Sequence, residues 1–127
     1  MDNDMEFPLI FRYSRADALN DGVLVDVSEA AREVGIRYPV AVTAKVFHEY
    51  LVPSEKMEGF GQSLSGRLHD LLWMFRCKAL KTSSDLLYFE VLFLMPDGKI
   101  EQVKLKAICD GCDDGAPVIT ILMVDES

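Results

Sequence analysis

The sequence is poor in the side chains that enzymes most often use for acid, base and nucleophilic chemistry. It has two histidines and three cysteines among 127 residues, and it contains no GxSxG, P-loop, GxGxxG or HExxH motif. His48 and His69 each fall on the polar side of a predicted helix. Because a general base needs a geometrically placed partner, we interpret both as solvated surface residues.

Long apolar runs and a leader-like N-terminus are also missing. A membrane span needs roughly 18 apolar residues, and the nearest run, Leu86 to Met95, is shorter and contains Glu90. The opening MDNDMEF lacks the basic-then-apolar pattern of a signal peptide. An odd number of cysteines suits a reducing compartment better than a disulfide framework. We therefore expect a cytoplasmic protein, bacterial by default, that does not bind membranes.

Basic residues are the third shortage. The chain has 13 lysines and arginines against 21 acidic residues, a formal net charge of -8. Nonspecific binding to nucleic acids or anionic membranes depends on lysine and arginine, so direct nucleic-acid binding is disfavoured. Simple solubility, a basic protein partner and imitation of nucleic-acid charge all remain open.

Length and composition predict one domain, residues 1–127, that buries roughly two thirds of its surface on folding. Half of the residues are hydrophobic, which argues against disorder, except in the acidic segment Met1 to Glu6. Pro53 to Gln62 is polar and contains glycine, so it is predicted to be a mobile loop. The predicted fold is α+β: a three- to five-stranded, mainly antiparallel sheet packed against a long central helix, with two or three short N-terminal helices.

The central helix is predicted to run from Ser63 to Lys81. Helical spacing gives it an apolar stripe of Leu64, Leu68, Leu71, Leu72, Phe75 and Ala79. A second apolar stripe, Trp73, Cys77 and Leu80, falls roughly opposite the first. The second stripe can pack as a satellite cluster under a loop, or it can meet a partner chain.

Capping residues and β-branched runs divide the N-terminal half. Helices are predicted to begin at Ser14, Ser28 and Thr43, and at Ser63 or Ser65 for the central helix. Extended segments are predicted at Phe7 to Tyr13, Val23 to Val27 and Ile36 to Val42. Pro39 places the last of these at an edge or outside a ladder.

The C-terminal half is predicted to be a three-stranded antiparallel meander. Leu86 to Met95 is apolar on both faces apart from Glu90, which is typical of a strand buried on both sides. A tight turn, Pro96 to Lys99, leads to the alternating segment Ile100 to Ile108. After the loop CDGCDDGAP, the last strand is predicted at Val118 to Val124.

The CDGC segment carries a CxxC spacing that metal and redox sites use. A structural zinc site needs four ligands, and Cys77 with one histidine could join Cys109 and Cys112. There is no second CxxC pair, so we interpret the segment as an ordinary loop and its aspartates as turn formers. Cys109, Cys112 and Cys77 remain weak metal candidates, and no cofactor is predicted.

Three segments carry a resemblance: PLIFRYSRADALNDGVLVDVSEAAREVGIRYPVAVT (Pro8 to Thr43), SGRLHDLLWM (Ser65 to Met74) and DDGAPVITI (Asp113 to Ile121). They resemble a family of small uncharacterised bacterial proteins, a domain of unknown function, carried on plasmids, phages and integrative elements. The resemblance implies no established activity and no shared cysteine or histidine chemistry. It points to Tyr13, Arg15, Asp21, Gly22, Asp26, Arg32, Glu33, Pro39, Gly66, Arg67, Asp70, Trp73, Asp114, Gly115 and Pro117.

The sequence therefore predicts a non-enzymatic, acidic, protein-binding accessory of a mobile genetic element. The most concrete version of this hypothesis is that the protein modulates a DNA-handling protein. The partner-binding candidates are Tyr13, Arg15 and Trp73, and a homodimer remains open. The alternative is a small hydrolase or nuclease-like enzyme without histidine, an idea based on fold analogy. Its catalytic candidates are Arg15, Asp26, Arg32, Glu33, Arg67 and Asp70. One concave pocket holding these side chains would favour the enzyme, whereas an exposed apolar patch would favour binding.

Overall fold

The computed structural model describes residues 14–111 and 115–126, which form a five-stranded sheet with helices packed against it. The strands are β1 (Leu24–Asp26), β2 (Val40–Thr43), β3 (Leu86–Leu94), β4 (Ile100–Gly111) and β5 (Pro117–Met123). The helices are α1 (Arg15–Asn20), α2 (Ser28–Glu33), α3 (Ala44–Val46), α4 (Glu55–Gly59) and α5 (Leu64–Ala79). A π-helical turn, Phe47–Leu51, continues α3. The α+β prediction is confirmed, with four short helices in the described chain instead of two or three.

The strands are arranged in the order β1-β2-β5-β4-β3. β3, β4 and β5 form the predicted antiparallel meander, and β1 pairs antiparallel with β2. β2 pairs parallel with β5, placing Val40 opposite Ile119. The sheet that residues 14–111 and 115–126 form is therefore mainly antiparallel with one parallel pair, and β1 and β3 are its edges.

Side-chain caps explain where several helices begin. The hydroxyls of Ser14, Thr43, Ser54 and Ser63 each accept a hydrogen bond from the backbone N–H three residues ahead, at 3.0, 3.3, 3.2 and 3.0 Å. Each bond satisfies one of the N–H groups that a helix leaves unpaired in its first turn. The predicted starts at Ser14, Thr43 and Ser63 are confirmed.

Ser28 is not the N-cap that the sequence predicts, because it is already the first residue of α2. Its Oγ donates to Asp26 Oδ1 at 2.6 Å and accepts from the backbone N–H of Val40 at 3.0 Å. The buried hydroxyl therefore joins the end of β1 to the start of β2.

The main core lies between α5 and the inner face of the sheet. The predicted stripe buries Leu68, Leu71, Leu72 and Phe75 against alternate side chains of β3: Leu87, Phe89, Val91 and Phe93. The rings of Phe75 and Phe89 meet edge to face with centroids 5.8 Å apart. Leu64, predicted in the same stripe, is exposed at the start of the helix.

The predicted burial of β3 on both faces is wrong. Its outward side chains Leu86, Tyr88, Glu90 and Leu92 are exposed. The helix that lies on this outer face is α1, and it covers β5, where Arg15 Nη1 donates to Thr120 Oγ1 at 2.7 Å. Within the described chain, the outer face of the sheet at the β3 end therefore remains open to solvent.

Two further boundaries differ from the prediction. The segment predicted to be a loop, Pro53 to Gln62, contains α4, because Met57 is buried and anchors a helical turn. β4 extends to Gly111, so Cys109 belongs to a strand. The predictions for residues 1–13 and 112–114 lie outside the described residues.

None of the described helices is long and apolar enough to cross a membrane.

Candidate protein-interaction site

Arg67, one of the predicted catalytic residues, is almost completely buried, with 1% of its surface exposed. Its Nε donates to the carbonyl oxygen of Tyr50 at 2.6 Å, and its Nη1 donates to Gln62 Oε1 at 3.0 Å and to the carbonyl oxygen of Leu94 at 2.7 Å. The ring of Phe93 lies 4.8 Å from its Cζ. Burial lowers the pKa of the Arg67 guanidinium. By donating to these neutral acceptors, the guanidinium joins three segments of the fold. The Arg67 side chain therefore does not face a substrate pocket.

Arg15 and Asp26 also have structural contacts. Arg15 Nη2 donates to the carbonyl oxygen of Ile119 at 2.9 Å, which fixes α1 to β5. Asp26 accepts hydrogen bonds from the backbone N–H and the hydroxyl of Ser28, at 3.3 and 2.6 Å. These two residues therefore position local backbone on different strands.

Arg32 and Glu33 are exposed on α2, whereas Asp70 is exposed on α5 beside His69, at 3.9 Å from its Nδ1. The six predicted catalytic residues are thus divided among α1, β1, α2 and α5, and on α5 Arg67 is buried whereas Asp70 is exposed. Within the described chain, the structure does not bring them into one pocket.

The weak metal candidates are also separated. Cys77 lines a groove between α5 and β3, and Cys109 lines a different groove beside Ile36 and Tyr38. The described residues contain no group of three or more histidine, cysteine or acidic side chains placed to hold a metal ion. Burial raises the pKa of the Cys109 thiol, which disfavours the thiolate form that binds metals. Cys112 lies outside the described residues.

Trp73 is the partner-binding candidate that the structure leaves accessible, with 44% of its surface exposed. The imidazole of His69 stacks parallel to the indole with centroids 6.2 Å apart, and Arg76 Cζ lies 5.4 Å from the ring. Leu80, in the same stripe, is also exposed. The second stripe of α5 is therefore not a satellite core cluster. Tyr13 lies outside the described residues.

Among the described residues, the backbone of β3 has hydrogen-bonding groups along its outer edge that no other strand pairs. At its two ends, the carbonyl oxygen of Asp85 accepts from the N–H of Cys109 at 2.8 Å, and the N–H of Met95 donates to the carbonyl oxygen of Lys99 at 2.9 Å. Both bonds show that the odd-numbered residues direct their backbone groups towards β4, since these directions alternate along a strand. The even-numbered residues therefore direct theirs away from the sheet.

The two ends of this outer edge are already occupied. Arg67 binds the carbonyl oxygen of Leu94, and the hydroxyl of Ser84 accepts from the N–H of Leu86 at 3.2 Å. Between them, Tyr88, Glu90 and Leu92 present N–H and C=O groups to solvent. An unpaired edge of this kind is a template for another strand.

Apolar side chains surround the open edge. Tyr88 and Leu92 are 55% and 63% exposed on the outer face of the sheet. On the other side of the edge, α5 presents Trp73 and Met74, which are both exposed. These side chains line an open groove with a volume of about 1010 Å³. We call the outer edge of β3 together with this groove the β3 edge site.

Charged residues lie at defined places in the β3 edge site. Among the charged residues that line the groove, Asp70 lies near the middle of α5, Lys78 lies in its last turn, and Lys81 follows its end. On the sheet, Glu90 is opposite Lys104, and its Oε1 accepts from Gln102 Nε2 at 2.5 Å. Glu90 is the single charged residue within β3, so most of this long edge lacks the charges that usually discourage strand pairing.

The sequence contains the signal for this site, but in an ambiguous form. In Leu86 to Leu94, both the odd-numbered and the even-numbered positions are mostly apolar, and this pattern predicts a strand that is covered on both faces. The same pattern also fits a strand whose second face is covered by another molecule. Trp73 was identified as a partner-binding candidate, whereas Tyr88, Leu92 and Met74 were missed.

A family model described as "Family of unknown function (DUF6573)" matches residues 3–127. No curated protein and no solved structure matches the chain.

Proposed function

Because the chain belongs to DUF6573, a family of unknown function, we propose a function from its geometry: it is a non-enzymatic protein-binding domain that acts through the β3 edge site. The observation that carries this proposal is the combination of an unpaired strand edge at Tyr88, Glu90 and Leu92 with exposed apolar side chains on both sides of it. A partner strand would satisfy the backbone groups, and its side chains would bury Trp73 and Leu92.

The placement of the charged residues supports binding over catalysis. Arg67, Arg15 and Asp26 make contacts that hold the fold together. Arg32 and Glu33 lie on α2, away from the groove that Asp70 lines. Within the described chain, no acid, base and nucleophile converge on one place where a substrate could react.

The net charge of -8 supports a more specific version of the proposal. An acidic chain of this kind would influence a DNA-handling protein of a mobile element by contacting that protein and not the nucleic acid, because phosphate binding requires lysine and arginine. This version also agrees with the predicted mobile-element setting.

The proposal is tested by capture of a binding partner from cells that carry the gene, with three forms of the protein. Leu92→Lys places a charge on the open edge of β3. Phe60→Lys is the control, because Phe60 is also an exposed apolar side chain (47%) but lies outside the β3 edge site. We expect a specific, stoichiometric partner with wild type and Phe60→Lys and its loss with Leu92→Lys, while all three keep the same unfolding midpoint. Equal capture by all three forms would contradict the proposal.

A further inference from the structure

We propose that the occupant of the β3 edge site is the β3 edge site of a second copy of this chain. The two β3 strands pair antiparallel, so that two five-stranded sheets join across a two-fold axis. This inference rests on the proposed function, because it uses the same site, and it names a second copy as the occupant of that site in place of a DNA-handling protein. The support comes from the backbone of β3, whose free groups an axis at Phe89 can pair, and from the charges on and after α5, which are complementary about that axis.

An axis at Phe89 pairs most of the free backbone groups of β3. An axis at Phe89 places Tyr88 opposite Glu90 of the second copy, and Leu86 opposite Leu92. Directly opposed outward residues in antiparallel strands exchange both N–H···O bonds, so the groups of Tyr88 and Glu90 all find partners. The N–H of Leu92 then reaches the free carbonyl oxygen of Leu86 in the second copy.

This register keeps the bonds that close the two ends of the edge. The bond from the N–H of Leu86 to Ser84 Oγ and the bond from Arg67 to Leu94 both remain in place. An axis moved to Glu90 would instead place two Glu90 carboxylates directly opposite each other, and like charges in that position are destabilising. With the axis at Phe89, Glu90 lies opposite the Tyr88 side chain of the second copy and beside its own neighbour Lys104.

The charges on and after α5 are arranged symmetrically about this axis. α5 runs antiparallel to β3, since Arg67 contacts Leu94 and the ring of Phe75 contacts that of Phe89. The level of Phe89 along β3 therefore corresponds to the level of Phe75 and Arg76 along α5. That position places Asp70 opposite Lys81 of the second copy.

The same axis arranges the middle of the α5 surface. It sets Met74 opposite Cys77 of the second copy. A two-fold interface must be self-complementary, because the same surface is used twice. The order acid, apolar, base along the groove side of α5 meets that requirement.

Charge reversal tests this pairing. Asp70→Lys and Lys81→Asp each replace both Asp70–Lys81 contacts of the dimer by like charges. Exposed pairs contribute modestly, so we expect each variant alone to dimerise about tenfold more weakly than wild type by sedimentation equilibrium. An equimolar mixture of the two variants restores both contacts as opposite charges, and so does the double variant. Glu55→Lys and Lys56→Asp, made on α4, serve as controls with the same changes of net charge and are expected to leave dimerisation unchanged.

A wild-type protein that remains monomeric at every soluble concentration would overturn this inference. So would a dimer that is indifferent to both charge reversals, because its interface would lie elsewhere. Capture of a different protein that depends on Leu92 by an otherwise monomeric chain would leave the proposed function standing without the self-pairing. If the wild-type protein neither self-associates nor captures another protein in a Leu92-dependent way, both the self-pairing and the proposed function are overturned.

Discussion

Arg67 Nη1 donates a 2.7 Å hydrogen bond to the carbonyl oxygen of Leu94, the last residue of β3. The same guanidinium binds Tyr50 in the π-helical turn and Gln62 ahead of α5. One side chain thus fixes where α5 begins and where the open edge of β3 ends. The fold and the candidate interaction site therefore depend on the same buried cation.

Removal of the Arg67 guanidinium should destabilise the protein strongly. In Arg67→Ala, the carbonyl oxygens of Tyr50 and Leu94 lose their donor in a buried region, and we expect a loss of about 2–4 kcal/mol in the free energy of unfolding. Arg67→Lys keeps the charge but cannot reproduce the forked geometry, so its loss should be smaller but clear. Urea unfolding measures both.

Arg32→Ala is the matched control for Arg67, because Arg32 is exposed on α2. Its free energy of unfolding should stay within about 0.5 kcal/mol of wild type. Equal effects of Arg67→Ala and Arg32→Ala would contradict the role assigned to Arg67.

Tyr50 should ionise at a higher pH than an ordinary tyrosine. Burial, reinforced by the hydrogen bond from its hydroxyl to Glu101 Oε2 at 3.0 Å, raises the pKa of Tyr50 to about 12. An absorbance titration of the phenolate should therefore show one of the four tyrosines ionising near that pH, and Tyr50→Phe should remove this late step. A titration curve unchanged by Tyr50→Phe would contradict the assignment.

The same pKa gives a stability profile with a definite sign. An unfolded tyrosine ionises at about pH 10, so between that pH and about 12 the unfolded chain has lost a proton that folded Tyr50 still holds. The stabilisation is complete below the lower pH and decreases as pH rises through this window. The difference in unfolding free energy between wild type and Tyr50→Phe should follow that course.

Ser28→Ala should cost more than its size suggests. The substitution leaves the buried N–H of Val40 without the acceptor that now lies at 3.0 Å, and we expect a loss of about 1–3 kcal/mol in the free energy of unfolding. Ser65→Ala, at an exposed position of α5, is the control and should have little effect. A neutral Ser28→Ala would show that water readily replaces the hydroxyl.

Gly35→Ala should be more damaging than Gly98→Ala. Both glycines have a positive φ, of 92° and 80°, so alanine is strained by roughly 1–2 kcal/mol at either position. A Cβ at Gly35 would in addition lie 3.3 Å from Arg76 Nε, whereas the space at Gly98 is empty within 4 Å. Thermal unfolding of the two variants should rank them in that order, and equal destabilisation would show that Arg76 moves aside freely.

The parts of the fold that local chemistry determines could be predicted from the sequence. Ser14, Thr43 and Ser63 begin helices because their hydroxyls satisfy first-turn N–H groups, and that requirement depends on neighbouring residues alone. The stripe of α5 around Leu71 and the β3–β4 hairpin follow from periodicity in the same way. The parallel pairing of β2 with β5 could not be predicted, because it joins segments that are far apart in the chain.

The candidate site was only half predictable for a related reason. Tyr88 and Leu92 show that a second face of β3 is apolar, but a single sequence cannot tell whether its own helices or another molecule will cover that face. Arg67 illustrates the opposite problem. Its helical position suggested a flank residue near Asp70, whereas its long side chain reaches buried carbonyl groups that tertiary structure alone brings together.

Trp73 is the only tryptophan in the chain, and it lies half-exposed in the groove beside the open edge of β3. Indole fluorescence responds to the removal of water, so its emission reports on this one place in the molecule without any added label. Whatever covers the groove should shift the emission to shorter wavelength, whether the occupant is a second copy or a different protein. The molecule thus carries its own optical probe, and a titration in a cuvette can screen partners and conditions before any partner is identified.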